Sequence, residues 1–134
     1  MLPRSLVVVL LACVVAGGCS RGPTLVPATG RVTLNGKPLD TGAIMVQPTA
    51  GPAAQAKINP DGTFQLSTFK PGDGAIVGAA AVRVFCRKNI TPPGGEQAWG
   101  PSLIPDRYNR FDTSGLTVEI KAGMPPLEIS LSSK

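Results

Sequence analysis

The side chains best suited to bind a ligand lie in segment 88–114, which holds three of the six aromatic residues of the chain. The aromatic and arginine side chains of this segment are Trp99, Arg107, Tyr108, Arg110 and Phe111. Aromatic rings beside guanidinium groups suit stacking on sugars or anchoring of a protein partner. One interpretation is therefore a carbohydrate- or peptide-binding module whose ligand contacts this segment at Trp99, Arg107, Tyr108 and Arg110. The favoured interpretation is that Ile104, Tyr108 and Phe111 hold the segment across an open end of the fold, which would leave Trp99 as its free ring. We accordingly predict a non-catalytic structural or scaffolding role, with the binding module as the alternative.

Catalytic groups are scarce in this sequence. The chain has no histidine, which excludes histidine-based triads, imidazole general bases and His-ligated zinc. A hydrolase that uses an unrecognised pair of the eight carboxylates is a distant alternative. Asp40, Asp61 and Asp73 stand beside turn-forming residues, where an aspartate stabilises the turn through its side chain. We predict no enzyme activity, no catalytic residue, no metal and no cofactor.

The N-terminus has the pattern of a targeting segment. Arg4 precedes an apolar run over residues 6–16, which as a helix would span roughly 17 Å, short of the ~30 Å of a bilayer core. It therefore predicts a signal peptide over residues 1–18. Small residues lead directly into Cys19, a pattern that resembles the lipobox of bacterial lipoproteins, in which the cysteine thiol receives the lipid. An ordinary secretory peptide with an incidental Cys19 is the alternative.

These features predict an exported protein that is lipid-anchored at Cys19 to the bacterial cell envelope, on its periplasmic or surface face. Residues 19–28 would be a lipidated tether and residues 29–134 the folded domain. The partners expected are the membrane, through the anchor, and an envelope protein or glycan. With Cys19 lipidated and Cys13 removed with the signal, Cys86 is the remaining cysteine, and it continues an apolar strand face that predicts burial.

Charge and composition limit the partners further. The chain has 13 Lys and Arg against 8 Asp and Glu, a formal net charge of +5 at pH 7. The basic residues are scattered along the sequence, whereas a nucleic-acid site needs a basic patch or stripe, so we predict no nucleic-acid partner. A solvated surface is favoured over weak attraction to anionic lipid or cell-wall polymer. The 16 Gly and 14 Pro indicate many turns and short elements.

Apolar residues recur with period two, which predicts strands rather than helices. Seven strands are predicted, at 31–34, 43–48, 55–59, 63–66, 81–88, 116–121 and 127–131. Asn35-Gly36 and the run 60–62 predict tight turns between strands. Segment 88–114 shows no clear strand, and loops of that length are usually functional or disordered. The spacing favours an all-β fold, a single seven-stranded β-sandwich.

Several segments together resemble carboxypeptidase regulatory-like domains, which are transthyretin-like sandwiches. The stretch GRVTLNGKPLDTGAIMVQP resembles their opening hairpin. INPDGTFQLSTFKPGDGA, LIPDRY and TSGLTVEIKAG are similar to small lipoproteins of this class in planctomycete-type bacteria. The resemblance covers most of residues 28–131 and implies a secreted, lipid-anchored, transthyretin-like/Ig-like sandwich without a catalytic motif. Related folds include hydrolases that depend on histidines, which this chain lacks.

Overall fold

The computed structural model describes residues 24–90, 93–96 and 98–134, and these residues form an all-β structure. Its strands are Leu25–Val26 (β1), Thr29–Leu34 (β2), Lys37–Pro38 (β3), Ala43–Pro48 (β4), Ala54–Lys57 (β5), Thr63–Gln65 (β6), Ala75–Ile76 (β7), Gly78–Phe85 (β8), Arg87–Ile90 (β9), Ala98–Ser102 (β10), Leu116–Ile120 (β11) and Leu127–Leu131 (β12). The helical element of these residues is a single short 3-10 helix, Asp106–Asn109.

Most of the strands belong to two four-stranded sheets. The first has the order β11-β8-β4-β5 and is antiparallel throughout. The second is built on β2, along which β12 runs parallel, while β6 and β3 pair antiparallel with successive parts of β2. Two further ribbons pair β1 with β7 and β9 with β10. The first sheet and the β9–β10 ribbon carry the candidate site.

The tight turns form where the sequence predicts them. Asn35 and Gly36 have φ of 51° and 83°, the backbone of the two-residue turn that matches the twist of paired strands. At the second turn, Asp61 accepts hydrogen bonds from the hydroxyl and the backbone N–H of Thr63, at 2.6 and 3.1 Å. These bonds stabilise the ionised carboxylate, so the pKa of Asp61 lies below its usual value.

A single hydrophobic core includes residues from both four-stranded sheets. Its most deeply buried members include Val32 from β2, Ile44 and Val46 from β4, Val82 and Val84 from β8, and Ile120 from β11. The predicted burial of Cys86 is confirmed, since its side chain is 0% exposed at the end of β8. Burial raises the pKa of its thiol, and the charge of Asp40 raises it further.

Each of the seven predicted segments overlaps an observed strand, but the described residues hold five more, β1, β3, β7, β9 and β10. The expectation of a strandless segment 88–114 is therefore wrong. Strand β8 ends at Phe85, the chain resumes as β9, and β10 pairs back on it before the 3-10 helix. The segment is thus a ribbon followed by a helical turn.

The described residues also include part of the segment predicted as a tether. Strand β1 pairs with β7, and Val26 and Ala28 are buried in the core. A Cβ on Gly74 would overlap the carbonyl oxygen of Val26, so this close approach of two backbones requires glycine. The predicted tether 19–28 therefore contains, from Leu25 onward, residues that pack as part of the folded domain.

Candidate functional site

The outer face of the first sheet carries an open groove. The register aligns Met45 of β4 with Gln55 of β5 and Arg83 of β8, and in the next row it aligns Ala43 with Lys57 and Phe85. Because side chains alternate along a strand, these rows face away from the core, into which the neighbouring Ile44 and Val84 point. The groove has a volume of about 550 Å³ and is lined by Ala43, Met45, Gln55, Ala56, Lys57, Gln65, Ser67, Arg83 and Phe85. We call it the outer groove.

An aromatic pair extends the outer groove at one end. Trp99 on β10 lies edge-on to Phe85, with ring centroids 5.5 Å apart and an angle of 86° between the ring planes. A recess of about 340 Å³, lined in part by Lys57, Phe85, Arg87 and Trp99, adjoins the outer groove and shares Phe85 and Lys57 with it. The indole is 66% exposed, although a large apolar side chain is normally covered. Trp99 therefore offers an open ring at the mouth of the recess.

Arg83 occupies the other end of the outer groove and lacks a charged partner. Its Nε and Nη2 lie 3.2 and 2.8 Å from the Sδ of Met45, a weak acceptor, and Nη1 lies 3.5 Å from the carbonyl oxygen of Asn109. The guanidinium stands 5.3 Å from the ring centroid of Phe111. Within the described part of the chain, the one ion pair joins Arg110 to Asp112. Arg83 is thus held in place by weak contacts that leave its charge available.

Arg87 is a second arginine whose guanidinium has an unsatisfied hydrogen-bond donor. It stacks on Phe85, with its Cζ 5.6 Å from the ring centroid. Its Nε is buried and has no hydrogen-bond partner among the described residues. A buried donor without a partner costs about 1–3 kcal/mol, so this guanidinium keeps unsatisfied hydrogen-bonding capacity in the fold.

The electrostatic balance of this face is positive. The outer groove and the recess beside Trp99 bring together Lys57, Arg83 and Arg87, and no carboxylate lines either of them in the described structure. A third recess of about 290 Å³ shares Arg83 and adds Arg110, Phe111 and Asp112. There Arg110 and Asp112 neutralise each other. The arrangement can bind an anionic group beside an aromatic surface.

Among the described residues, one hydroxyl group lines the outer groove. The hydroxyl in the lining of the outer groove belongs to Ser67, whose Oγ accepts a hydrogen bond from the N–H of Gly72 at 2.7 Å. Among the described residues, no three Cys, Asp or Glu side chains group closely enough to hold a metal ion.

Arg107 and Tyr108, two of the predicted contact residues, lie in a different cluster that clamps the C-terminal end of the chain. The hydroxyl of the buried Tyr108 accepts hydrogen bonds from the N–H of Ser132 and from Arg107, both at 2.9 Å. Arg107 also donates to the carbonyl oxygens of Ser132 and Lys134 at 2.8 Å, and its guanidinium stacks on the Tyr108 ring. Burial raises the pKa of Tyr108, but these donors outweigh it and leave the pKa below its usual value. Ile104 and Tyr108 are both buried, as the favoured interpretation of a pinned segment requires.

Arg110 forms an exposed, two-point pair with Asp112, with Nε–Oδ1 and Nη2–Oδ2 distances of 3.0 and 3.1 Å. The pair raises the pKa of Arg110 and lowers that of Asp112, because each charge and its hydrogen bonds stabilise the other. Of the four predicted contact residues, the structure thus brings only Trp99 to the mouth of the recess at Phe85. Arg110 lies in the third recess, and Arg107 and Tyr108 act together elsewhere.

Sequence reasoning did not single out Lys57, Arg83, Phe85 and Arg87 as site residues. A signal for three of them is present in the strand itself. The alternation over residues 83–87 places Arg83, Phe85 and Arg87 on the face opposite Val84 and Cys86. A phenylalanine between two arginines on the solvent face of a strand is unusual, since an outward position is normally polar. Lys57 could not be assigned to the site from the sequence, because its position there depends on the pairing of β5 with β4.

The proposed lipidation site, Cys19, lies outside the described residues. Within them, no helix is both long enough and apolar enough to cross a bilayer. Comparisons with protein-family models, curated proteins and solved structures found no significant match to this chain.

Proposed function

We propose that this chain is a non-catalytic binding domain of the bacterial cell envelope that recognises its ligand in the outer groove. The observation that carries the proposal is the exposed ring of Trp99 beside Phe85, at the end of a face that presents Lys57, Arg83 and Arg87. An exposed tryptophan supported by a second ring is typical of binding hot spots. The recess beside it supplies the concave surface that such a contact needs.

The fold proposed for this domain is a transthyretin-like/Ig-like β-sandwich. Two four-stranded sheets that contribute to one core support it. The resemblance to carboxypeptidase regulatory-like lipoproteins supports it as well. The role in the envelope rests on the signal pattern of residues 1–18 and on the cysteine that follows.

A separate experiment tests the proposed lipid anchor at Cys19. Cells that express the full chain are grown with a labelled fatty acid, and the wild type is compared with Cys19→Ala. We expect label in the wild type and none in the variant. Equal absence of label in both proteins would remove the lipid anchor from the proposal and leave the groove unaffected.

A purely structural or scaffolding role is the second candidate. The observation that favours it is that Arg107, Tyr108 and Arg110, which the sequence offered as contact residues, make contacts within the chain. In such a role the folded domain would act as a spacer on its anchor, and no particular ligand would occupy the outer groove.

One experiment separates the two candidates. The purified protein is applied to an array of envelope polysaccharides and peptides, in parallel with Trp99→Ala and Phe69→Ala. Phe69 is a matched control because it is also an exposed aromatic residue, 62% against 66%, and does not line the groove or its recesses. We expect Trp99→Ala to lose binding at least tenfold while Phe69→Ala retains it. Equal binding by all three proteins, or by none, would favour the scaffold.

A further inference from the structure

The ligand class can be narrowed from the charges of the outer groove and its adjoining recess. Lys57, Arg83 and Arg87 supply three positive charges, and the described residues pair none of them with a carboxylate. Arg83 has a thioether as its nearest acceptor, and the Nε of Arg87 has none in the described structure. Guanidinium groups bind carboxylates and phosphates through parallel hydrogen bonds, which a neutral ligand cannot provide. The unpaired donors therefore favour an anionic ligand.

The shape of the site argues against a lipid surface. Arg83 and Arg87 are only partly exposed, and each is stacked on an aromatic ring, on Phe111 and on Phe85 respectively. A bilayer attracts basic groups that project from a surface into its headgroup region. The outer groove and the recess beside Trp99 instead hold Arg83 and Arg87, respectively, in concave surface, which a chain molecule can enter and a flat bilayer cannot.

The backbone hydrogen bonds at the edge of the first sheet disfavour a peptide ligand that binds as an additional strand. Strand β5 is the outermost strand beside the outer groove, and a peptide that extended the sheet there would need its free backbone groups. Gln55 and Ser67 already exchange both backbone hydrogen bonds, at 2.9 and 3.0 Å. The backbone of β5 is therefore already paired at Gln55, where an added peptide strand would need it.

The remaining lining suits a sugar chain. Gln55 and Gln65 present amide groups that can both donate to and accept from hydroxyl groups. The Trp99 ring offers an apolar face for a pyranose ring at the adjoining recess. The outer groove shares Arg83 with one recess and Lys57 and Phe85 with the other, and such adjoining recesses suit an extended polymer.

We propose that the outer groove binds an acidic polysaccharide, with sugar carboxylates on Arg83 and Lys57 and a sugar ring on Trp99. This assignment rests on the proposed function and names its ligand class. The carboxylate would replace the weak Arg83–Met45 contact with a charge-assisted one. Binding should consequently weaken as salt concentration rises, because exposed charges are screened.

The test uses the full chain in detergent and measures its affinity for polygalacturonate, a polymer of sugar acids. Fully methyl-esterified polygalacturonate is the neutral control, poly-L-glutamate the acidic peptide, and phosphatidylglycerol vesicles the lipid surface. The variants are Arg83→Gln and Lys57→Gln, with Arg31→Gln as a matched control on the second sheet. Thermal unfolding of each variant shows that it is folded.

We expect polygalacturonate to bind, and the methyl ester to bind at least about tenfold more weakly. Arg83→Gln should lower the affinity about tenfold or more, the equivalent of one lost charge-assisted hydrogen bond, and Lys57→Gln should also lower it. Arg31→Gln should change it less than about twofold. Tighter binding of poly-L-glutamate would overturn the assignment to a polysaccharide, as would equal binding of the methyl ester. Vesicle binding through the lipid anchor does not depend on the groove, so vesicle binding would overturn the assignment if Arg83→Gln weakens it. If Trp99→Ala still lowers binding in those cases, the binding function survives. If no ligand binds in a Trp99-dependent way, the proposed function fails as well.

Discussion

Trp99 lies edge-on to Phe85 with ring centroids 5.5 Å apart, although the two residues belong to different pairs of strands. Phe85 ends β8 in the first sheet, and Trp99 lies on β10, which pairs with β9 alone. The contact therefore fastens the ribbon to the sheet. It also sets the wall of the recess against which a ligand would rest.

A double-mutant cycle on Phe85→Ala and Trp99→Ala measures this contact. Edge-to-face pairs contribute about 0.5–1.5 kcal/mol beyond area burial, and we expect the lower end because Trp99 is largely exposed. The measurement is the free energy of unfolding in denaturant. Phe69→Ala combined with Phe85→Ala serves as control and should be additive within about 0.5 kcal/mol. A coupling no larger than that of the control pair would show that the rings do not interact in solution.

The carboxylate of Asp73 is expected to make the stability of the fold depend on pH in the acid range. This carboxylate accepts hydrogen bonds from the N–H groups of Thr68, Phe69 and Lys70 at 2.7, 2.9 and 2.9 Å. The bond from Thr68 contributes most to lowering the pKa of Asp73 below its ordinary value of 3.8. Because the folded pKa is depressed, the stabilisation is complete above the unfolded pKa and is lost as pH falls through the folded one.

The matching measurement compares the thermal unfolding midpoint of the wild type with that of Asp73→Asn from neutral to acid pH. The variant should be less stable at neutral pH, and the difference should shrink as the pH falls below the ordinary value of 3.8. Glu119→Gln, an exposed change on β11, is the control. A difference between wild type and Asp73→Asn that stays constant down to strongly acid pH would contradict a role for the charge.

The variant Tyr108→Phe tests whether Tyr108 stabilises the fold or contacts a ligand. The change removes the acceptor of the Ser132 N–H in a partly buried cluster, and we expect a loss of about 1–3 kcal/mol in the free energy of unfolding. Ligand affinity, measured on the folded variant, should remain at the wild-type value. Weakened binding together with unchanged stability would place Tyr108 in the binding surface after all.

Cys86 should resist thiol reagents in the folded protein. A soluble form that begins at residue 20 has Cys86 as its sole cysteine, and its labelling by a disulfide reagent is followed with and without denaturant. We expect slow labelling of the native protein, because the side chain is buried and its pKa is raised, so little thiolate forms. Thr117→Cys in a Cys86→Ala background is the exposed control. Labelling of native Cys86 at the rate of that control would show that the strand register at β8 is wrong.

The positions of the longer strands could be predicted because their pattern is local. Leu116, Val118 and Ile120 alternate with polar residues, and Asn35-Gly36 marks a turn that few other pairs can form. In the structure Ile120 is buried, but Leu116 and Val118 are only partly buried. The alternation thus identified the inward face, and the position of β11 at the edge of its sheet decided how deeply each residue is covered.

The β9–β10 ribbon could not be predicted by the same reasoning. Gly100-Pro101 interrupts β10, and the register shifts between Trp99 and Ser102. Proline lacks the N–H that a regular ladder needs, so it indicates a loop when read from sequence alone. The pairing of β9 with β10 is irregular at this point and accommodates Pro101. Strands β1, β3 and β7 have two residues each, too few for any periodicity to appear.

The candidate site was predictable only in part, for a related reason. Trp99 was correctly identified as the aromatic residue most open to solvent in its segment. Its association with Phe85 depends on how the ribbon folds back on the first sheet, and the approach of Lys57 depends on strand pairing. The contacts of Arg107 with Ser132 and Lys134 span about a fifth of the chain, beyond any local pattern.

The parallel pairing of β12 with β2 has a consequence for the order of assembly. Asn35 and Ser133, 98 positions apart, also exchange hydrogen bonds just beyond the paired strands. A ribosome that releases the chain from its N-terminus delivers β2 well before its parallel partner. Such distant pairings form slowly, because the intervening chain must first be closed into a loop. The full register of the second sheet, in which Leu131 pairs with Leu34, is therefore reached only after all of β12 has been made.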